Sequence, residues 1–235
     1  MDKKALKLAS LFAYSPNSRG YCGLDSANSE FQKCIKYGKC EGVAKELKSF
    51  ITLYPYLKTI SKVRKLKFHD YKVVEAYWLG NELLKNFPIS GYEILINEFI
   101  KQGVPKWLTD DLSRKVPKKF IPHHLFQVLH VGVGQASGSV PFNLNSINNC
   151  MIRIGEIESV SGNGLIMNIE NLNRIKNGYV AKTKRVKMNT KSALFIKPHV
   201  NDYYCVHWGQ IVKKLTSKEF TNLKHWTDEV LSSLR

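Results

Sequence analysis

Cysteine and histidine supply most of the ligand and nucleophile chemistry open to this 235-residue chain. The cysteines are Cys22, Cys34, Cys40, Cys150 and Cys205. No two show CxxC spacing, so a standard structural zinc site is not indicated. His123 and His124 are adjacent and follow Pro122. Neighbouring side chains diverge, so this pair does not serve one metal unaided. The chain has no P-loop, no dinucleotide fingerprint and no GxSxG, and no pair of carboxylates stands out for acid–base work. The expectation is a protein that is not an enzyme.

Two patterns lie late in the chain. The first is CMIRIGEI, Cys150 to Ile157. It reads as a strand opened by Cys150 and interrupted at Gly155, where a bulge or a close backbone approach is expected. The second is VNDYYCVHWGQIVKKL, Val200 to Leu215. An Asn-Asp turn leads into a strand that ends in His207, Trp208 and Gly209. A thiolate and a neutral imidazole both suit iron, copper or zinc.

The elements that must position these residues change character along the chain. Val43, Leu47, Phe50, Tyr54, Leu57, Ile60 and Val63 recur at helical spacing. Pro55 splits that stretch into two helices or kinks one. Further helices are read over 73–87 and 91–102, and a short one starts at Pro105. GVGQASGSVP, Gly132 to Pro141, is rich in turn formers and marks a domain boundary. Beyond it the apolar period falls to two. Strands are expected over 151–160, 165–169, 179–188, 193–197 and 203–208, with SGNG, Ser161 to Gly164, as a tight turn. Five short strands suit a small barrel. Thr216 and Glu219 form a capping box, and Phe220, Leu223, Trp226, Val230 and Leu234 give the final helix one apolar stripe. The fold class is therefore α+β: an all-α domain over 1–141, then a small OB-like barrel with a C-terminal helix over 142–235.

Composition sets outer limits. Hydrophobic residues make up 43% and charged residues 23%, which suits a globular chain. The apolar runs are too short to span a membrane, and Lys7 interrupts any signal-peptide core. A cytoplasmic protein with reduced cysteines is expected. The formal charge is +17. Residues 150–235 hold 14 basic and 7 acidic side chains, so the excess is shared by both halves. This charge, with a barrel and many aromatics, supports an alternative: an OB-type module for single-stranded nucleic acid.

The second half resembles the HypC/HupF family of [NiFe]-hydrogenase maturation chaperones over residues 149–234. The matching succession is Cys150, Gly155 and Ile157, then Val200-Asn201-Asp202, then Val206-His207-Trp208-Gly209, then the Thr216–Glu219 helix start. The family cysteine is normally the first residue of the mature chain, whereas Cys150 follows a whole helical region. Ile154 stands where the family usually has proline. The resemblance implies that Cys150 and His207 bind either an iron carrying cyanide and carbon monoxide, an Fe(CN)2CO unit, or the immature large subunit, with Cys150 as the thiolate ligand and His207 as second ligand or proton partner. It also implies a HypD-like scaffold and the immature [NiFe]-hydrogenase large subunit as partners, with Met151, Gly155, Trp208 and Gly209 on the partner-binding side.

The whole chain also resembles an uncharacterised family of hydrogenase-associated proteins with a helical N-terminal region. That resemblance rests on FAYSPNSRGYCG, VVEAYWLGNELL and PHHLFQV together with the two later segments. It marks Cys22, His123 and His124 as a possible site shared between the halves. The helical half is expected to cover the Cys150–His207 edge.

Overall fold

The computed structural model describes residues 2–235. Helix α1 (Lys3–Asn17) starts where the Asp2 carboxylate accepts the Lys4 and Ala5 N–H groups, satisfying donors that a helix start leaves open. Its face of Ala5, Leu8, Ala9 and Phe12 is buried. Helix α2 (Ala27–Tyr37) ends on Gly38 in the left-handed region. That reversal brings Cys40 back to Cys34, and the two form a disulfide with Cα atoms 4.4 Å apart. The expectation that all five cysteines are reduced is corrected at this pair; Cys22, Cys150 and Cys205 are free thiols.

The stretch divided by Pro55 is two helices, α3 (Val43–Leu47) and α4 (Leu53–Arg64). Pro55 lies in the first turn of α4, where its missing N–H costs no bond. Helix α5 (Tyr71–Trp78) stops at Gly80, and a 3-10 turn at Glu82–Leu84 follows. Helices α6 (Ser90–Gln102) and α7 (Lys106–Arg114) come next. The short α8 (His124–Phe126) runs into a π-turn, Gln127–Gly132. Helix α9 (Leu144–Cys150) follows the Gly-Ser-rich segment. Cys150 is thus the last residue of a helix, not the first of a strand.

The strands are β1 (Arg153–Ser161), β2 (Gly164–Ile175), β3 (Gly178–Asn189), β4 (Tyr203–His207) and β5 (Gln210–Lys214). They form one antiparallel sheet in the order β3-β2-β1-β4-β5. Strands β3 and β5 stand at opposite edges with no ladder between them, so the sheet is open and the expected barrel does not close. Residues 193–197 are not a strand; β5, which the sequence reading missed, supplies the fifth. A Cβ on Gly155 would meet the Met167 sulfur at 2.6 Å, so the close approach expected there is present, while the β1 register shifts further on, between Ile157 and Ser159.

Helix α10 (Ser217–Ser233) carries the capping box: the Thr216 hydroxyl accepts from the Glu219 N–H, and the Glu219 carboxylate accepts from the Thr216 N–H. It packs on β1, β3 and α8. One hydrophobic core runs across the turn-rich segment near Pro141, from Leu6 and Phe12 through Cys150, Met151 and Trp208 to Trp226 and Val230. A smaller one lies within the sheet, around Ile157, Met167, Tyr204 and Ile211. Among the described residues no helix is long and apolar enough to cross a membrane.

Candidate metal centre

Three separate elements bring His124, Cys150 and His207 together, and one donor atom from each lies within 4.8 Å of the others. All three are buried. His124 is the first residue of α8, Cys150 the last of α9 and His207 the last of β4. Each thus sits at an element end, where the backbone is anchored while the side chain projects past the last turn or rung. The Trp208 N–H donates to the Asn149 carbonyl over 2.8 Å, which pins the β4–β5 hairpin tip to the end of α9 beside Cys150.

The hairpin turn itself is Trp208-Gly209, with φ of 48° and 70°. Two left-handed residues make the primed turn whose twist suits adjacent strands. Tryptophan is an unusual first residue there. Its ring is buried and lies 4.6 Å from the Tyr21 ring. Burial holds the Cys150 thiol well above its usual pKa. The sulfur is therefore protonated until a cation takes the proton's place.

Both imidazoles are neutral at pH 7. Burial, then the neighbouring His124, push His207 well below the usual histidine value. Burial brings His124 down to about 4. The His207 Nδ1–H donates to the Phe12 carbonyl across 2.8 Å. That bond fixes the tautomer and leaves Nε2 with a lone pair and no protein partner. An outward N–H held by a carbonyl is the usual support for a metal-binding imidazole.

His124 is held differently. Its Nε2 lies 2.8 Å from the Cys150 carbonyl oxygen and 3.8 Å from the Cys150 sulfur. Its Nδ1 lies 2.9 Å from the Tyr77 hydroxyl, which also meets Gln127, whose side chain reaches Thr52. Two proton arrangements are open to this chain, and only the first satisfies Nε2. With the proton on Nε2, His124 donates to the Cys150 carbonyl and Tyr77 donates to Nδ1, which requires the Gln127 amide to turn its nitrogen towards Tyr77. With the proton on Nδ1, His124 donates to Tyr77 and Tyr77 donates to the Gln127 oxygen, but the Nε2 lone pair then faces the Cys150 carbonyl oxygen, a contact that a metal at Nε2 has to open. Only the second arrangement can ligate a metal. Trp78 flanks both imidazoles, with ring centroids 4.6 Å from His124 and 5.9 Å from His207.

The other expected site residues separate. His123 caps α8, its Nδ1 accepting from the Leu125 N–H, and it lies outside the cluster. Cys22 is not one of the three donors either, but it lines a cavity of about 280 Å³ together with Cys150 and Trp208. Met151, Gly155 and Trp208 are buried, so of the four residues expected to face a partner only Gly209 is exposed. The first two are held in the core or under Met167. Sequence reasoning missed Tyr77 and the Phe12 carbonyl, since a backbone acceptor leaves no mark in a sequence.

A protein-family model matches residues 2–235, almost the whole chain. The chain belongs to the family of unknown function DUF6390. No curated protein and no solved structure matches it. The DUF6390 match spans both halves, so it covers every member of the cluster: the three donors, Phe12 and Tyr77.

Proposed function

We propose that this protein is an accessory protein of metalloenzyme assembly that holds a metal fragment for transfer, as the resemblance to [NiFe]-hydrogenase maturation chaperones implies. Its cargo is the Fe(CN)2CO unit, held by Cys150 and His207 with His124 as a third donor. The partners are a HypD-like scaffold and the immature large subunit, and the setting is the cytoplasm. The observation that carries this reading is the buried Cys–His–His cluster with one imidazole nitrogen left unpartnered. One thiolate and two neutral nitrogens suit a borderline or soft metal, and a single thiolate permits release. The OB-like reading of the sheet belongs to this proposal, and rests on the small core enclosed among Ile157, Met167, Tyr204 and Ile211.

The test is infrared spectroscopy and metal analysis of anaerobically isolated protein, co-produced with the assembly machinery. Cyanide and carbon monoxide bands absent from Cys150→Ala and His207→Gln are the expected result. Protein without bound iron, or iron content indifferent to both substitutions, overturns it.

The nucleic-acid alternative meets a geometric difficulty. Single-strand binding needs rings beside its cations. Strand β3 exposes Lys182, Lys184, Arg185 and Lys187, but the exposed rings Tyr37, Trp107, Phe142 and Tyr203 are dispersed over other elements. Lysines along an open edge also discourage strand-to-strand aggregation.

A further inference from the structure

Of the three clustered donors, only Cys150 lines the cavity of about 280 Å³. Its wall also includes Cys22, Tyr21, Trp208, Thr52 and Gln127. Cys150 is 5% exposed, while Cys22 is half-buried and the more exposed of the two, although burial still pushes its thiol up to about 12. The cavity wall thus carries two free thiols, of which Cys150 belongs to the cluster.

The turn that carries Cys22 is built to hold it there. Asn17 donates its side-chain amide to the carbonyls of Cys22 and Leu24, each over 2.8 Å. Gly20 and Gly23 flank the turn with φ of 70° and 75°, and a Cβ on Gly23 would meet the Phe50 ring at 2.5 Å. Tyr21, from the same turn, packs its ring at a tilt against that of Trp208. The Ser139 hydroxyl donates to the Tyr21 carbonyl over 2.9 Å, tying the turn to the 132–141 segment that also lines the cavity.

We propose that Cys22 is the receiving ligand of the site: a metal ion meets Cys22 first and passes from it to Cys150. This rests on the metal-holding function proposed above and assigns a route to it. The step is a ligand exchange. The bond between metal and Cys22 sulfur breaks as that between metal and Cys150 sulfur forms, and the proton that leaves the Cys150 thiol ends on Cys22. No oxidant or reductant is involved. A receiving thiolate lowers the barrier to both loading and release without holding the final complex, so it changes rates and not affinity.

Cobalt(II) is a convenient probe, because thiolate ligation gives it a charge-transfer absorption. Wild-type full-length protein, Cys22→Ser and Cys150→Ala are mixed anaerobically with cobalt(II) in a stopped-flow instrument, then challenged with a chelator. Wild type should load with thiolate charge transfer, and Cys150→Ala should lose that band at equilibrium. Cys22→Ser should keep the equilibrium spectrum and affinity but load and release at least about tenfold more slowly, a barrier rise of about 1.4 kcal/mol. Unchanged rates in Cys22→Ser, or a fall in affinity that matches the fall in loading rate, overturn the receiving role while leaving the site intact. If wild type shows no thiolate-bound cobalt, or Cys150→Ala matches it, the metal-holding function fails and the route with it.

Discussion

His124 and His207 are both neutral imidazoles, but they reach that state by different supports. His207 has a backbone carbonyl that accepts a hydrogen bond from its Nδ1–H. His124 depends on Tyr77, which must accept a hydrogen bond from Nδ1–H before the imidazole can offer its inner nitrogen to a metal. Tyr77→Phe removes that acceptor. Metal affinity should fall by about tenfold to hundredfold, the usual range for loss of such a support, measured by chelator competition at a temperature where circular dichroism shows the variant folded. An unchanged affinity would show that His124 is not a ligand.

Buried imidazoles set the acid limit of stability. Burial holds His123 down to about 3, and His124 and His130 down to about 4, while each regains a value near 6.5 on unfolding. Between those values the unfolded chain binds protons that the folded chain refuses. Stability is therefore complete above pH 6.5 and declines as pH falls towards 4, by about 1.4 kcal/mol per pH unit for each such histidine. Urea midpoints at pH 7 and pH 5 measure this; equal midpoints would refute it. Cys150 and His207 were legible as candidates because short motifs surround them. Tyr77 was not, since it meets its partner from 47 positions away. The adjacent histidines divide as diverging neighbours must, one facing the cluster and one capping α8.

At the scale of elements, His-Trp-Gly gives no clear sign of a hairpin, because tryptophan rarely opens a primed turn. Trp208 takes φ 48° there, so β5 was hidden behind a residue that carries no turn signal. The helix starts were far more readable: the Thr216–Glu219 box is chemical and local, and the structure forms it in full. Gly80 is a third case. It ends α5 at φ 78°, and a Cβ there would fall on the Trp226 ring of α10. Gly80→Ala should cost more than about 2 kcal/mol, since strain and overlap add. Gly103→Ala is the control, with φ 82° but nothing within 4 Å of the added carbon, and should cost about 1–2 kcal/mol. Urea unfolding compares the two, and equal losses would mean that α10 yields freely at Trp226.

The whole molecule is organised by a core shared between its halves. The turn-rich composition of 132–141 is visible in the sequence, and turns do lie there. What the local signal could not convey is that Phe12, Trp78, Cys150 and Trp226 pack as one body, because apolar periodicity shows which face is buried and not against what. The expected consequence is a single unfolding transition. Far-ultraviolet dichroism, which follows the helices, and tryptophan fluorescence, which follows Trp78 and Trp107 in the first half and Trp208 and Trp226 in the second, should give single, coincident urea curves. Two separated transitions would show halves that unfold independently.

The bond from His207 to the Phe12 carbonyl spans 195 positions, as does that from Ser15 to Gln210. On the ribosome, α1 is made long before β4 exists, so Phe12 has no imidazole to receive and the donor set is missing one nitrogen. Its completion waits for a closure that is among the longest in the chain, and contacts of such range form late and slowly. A nascent chain therefore cannot trap a stray ion in the finished geometry. The cluster becomes competent only when synthesis has passed β4 and the first and last elements have met, which makes occupancy a property of the folded protein alone.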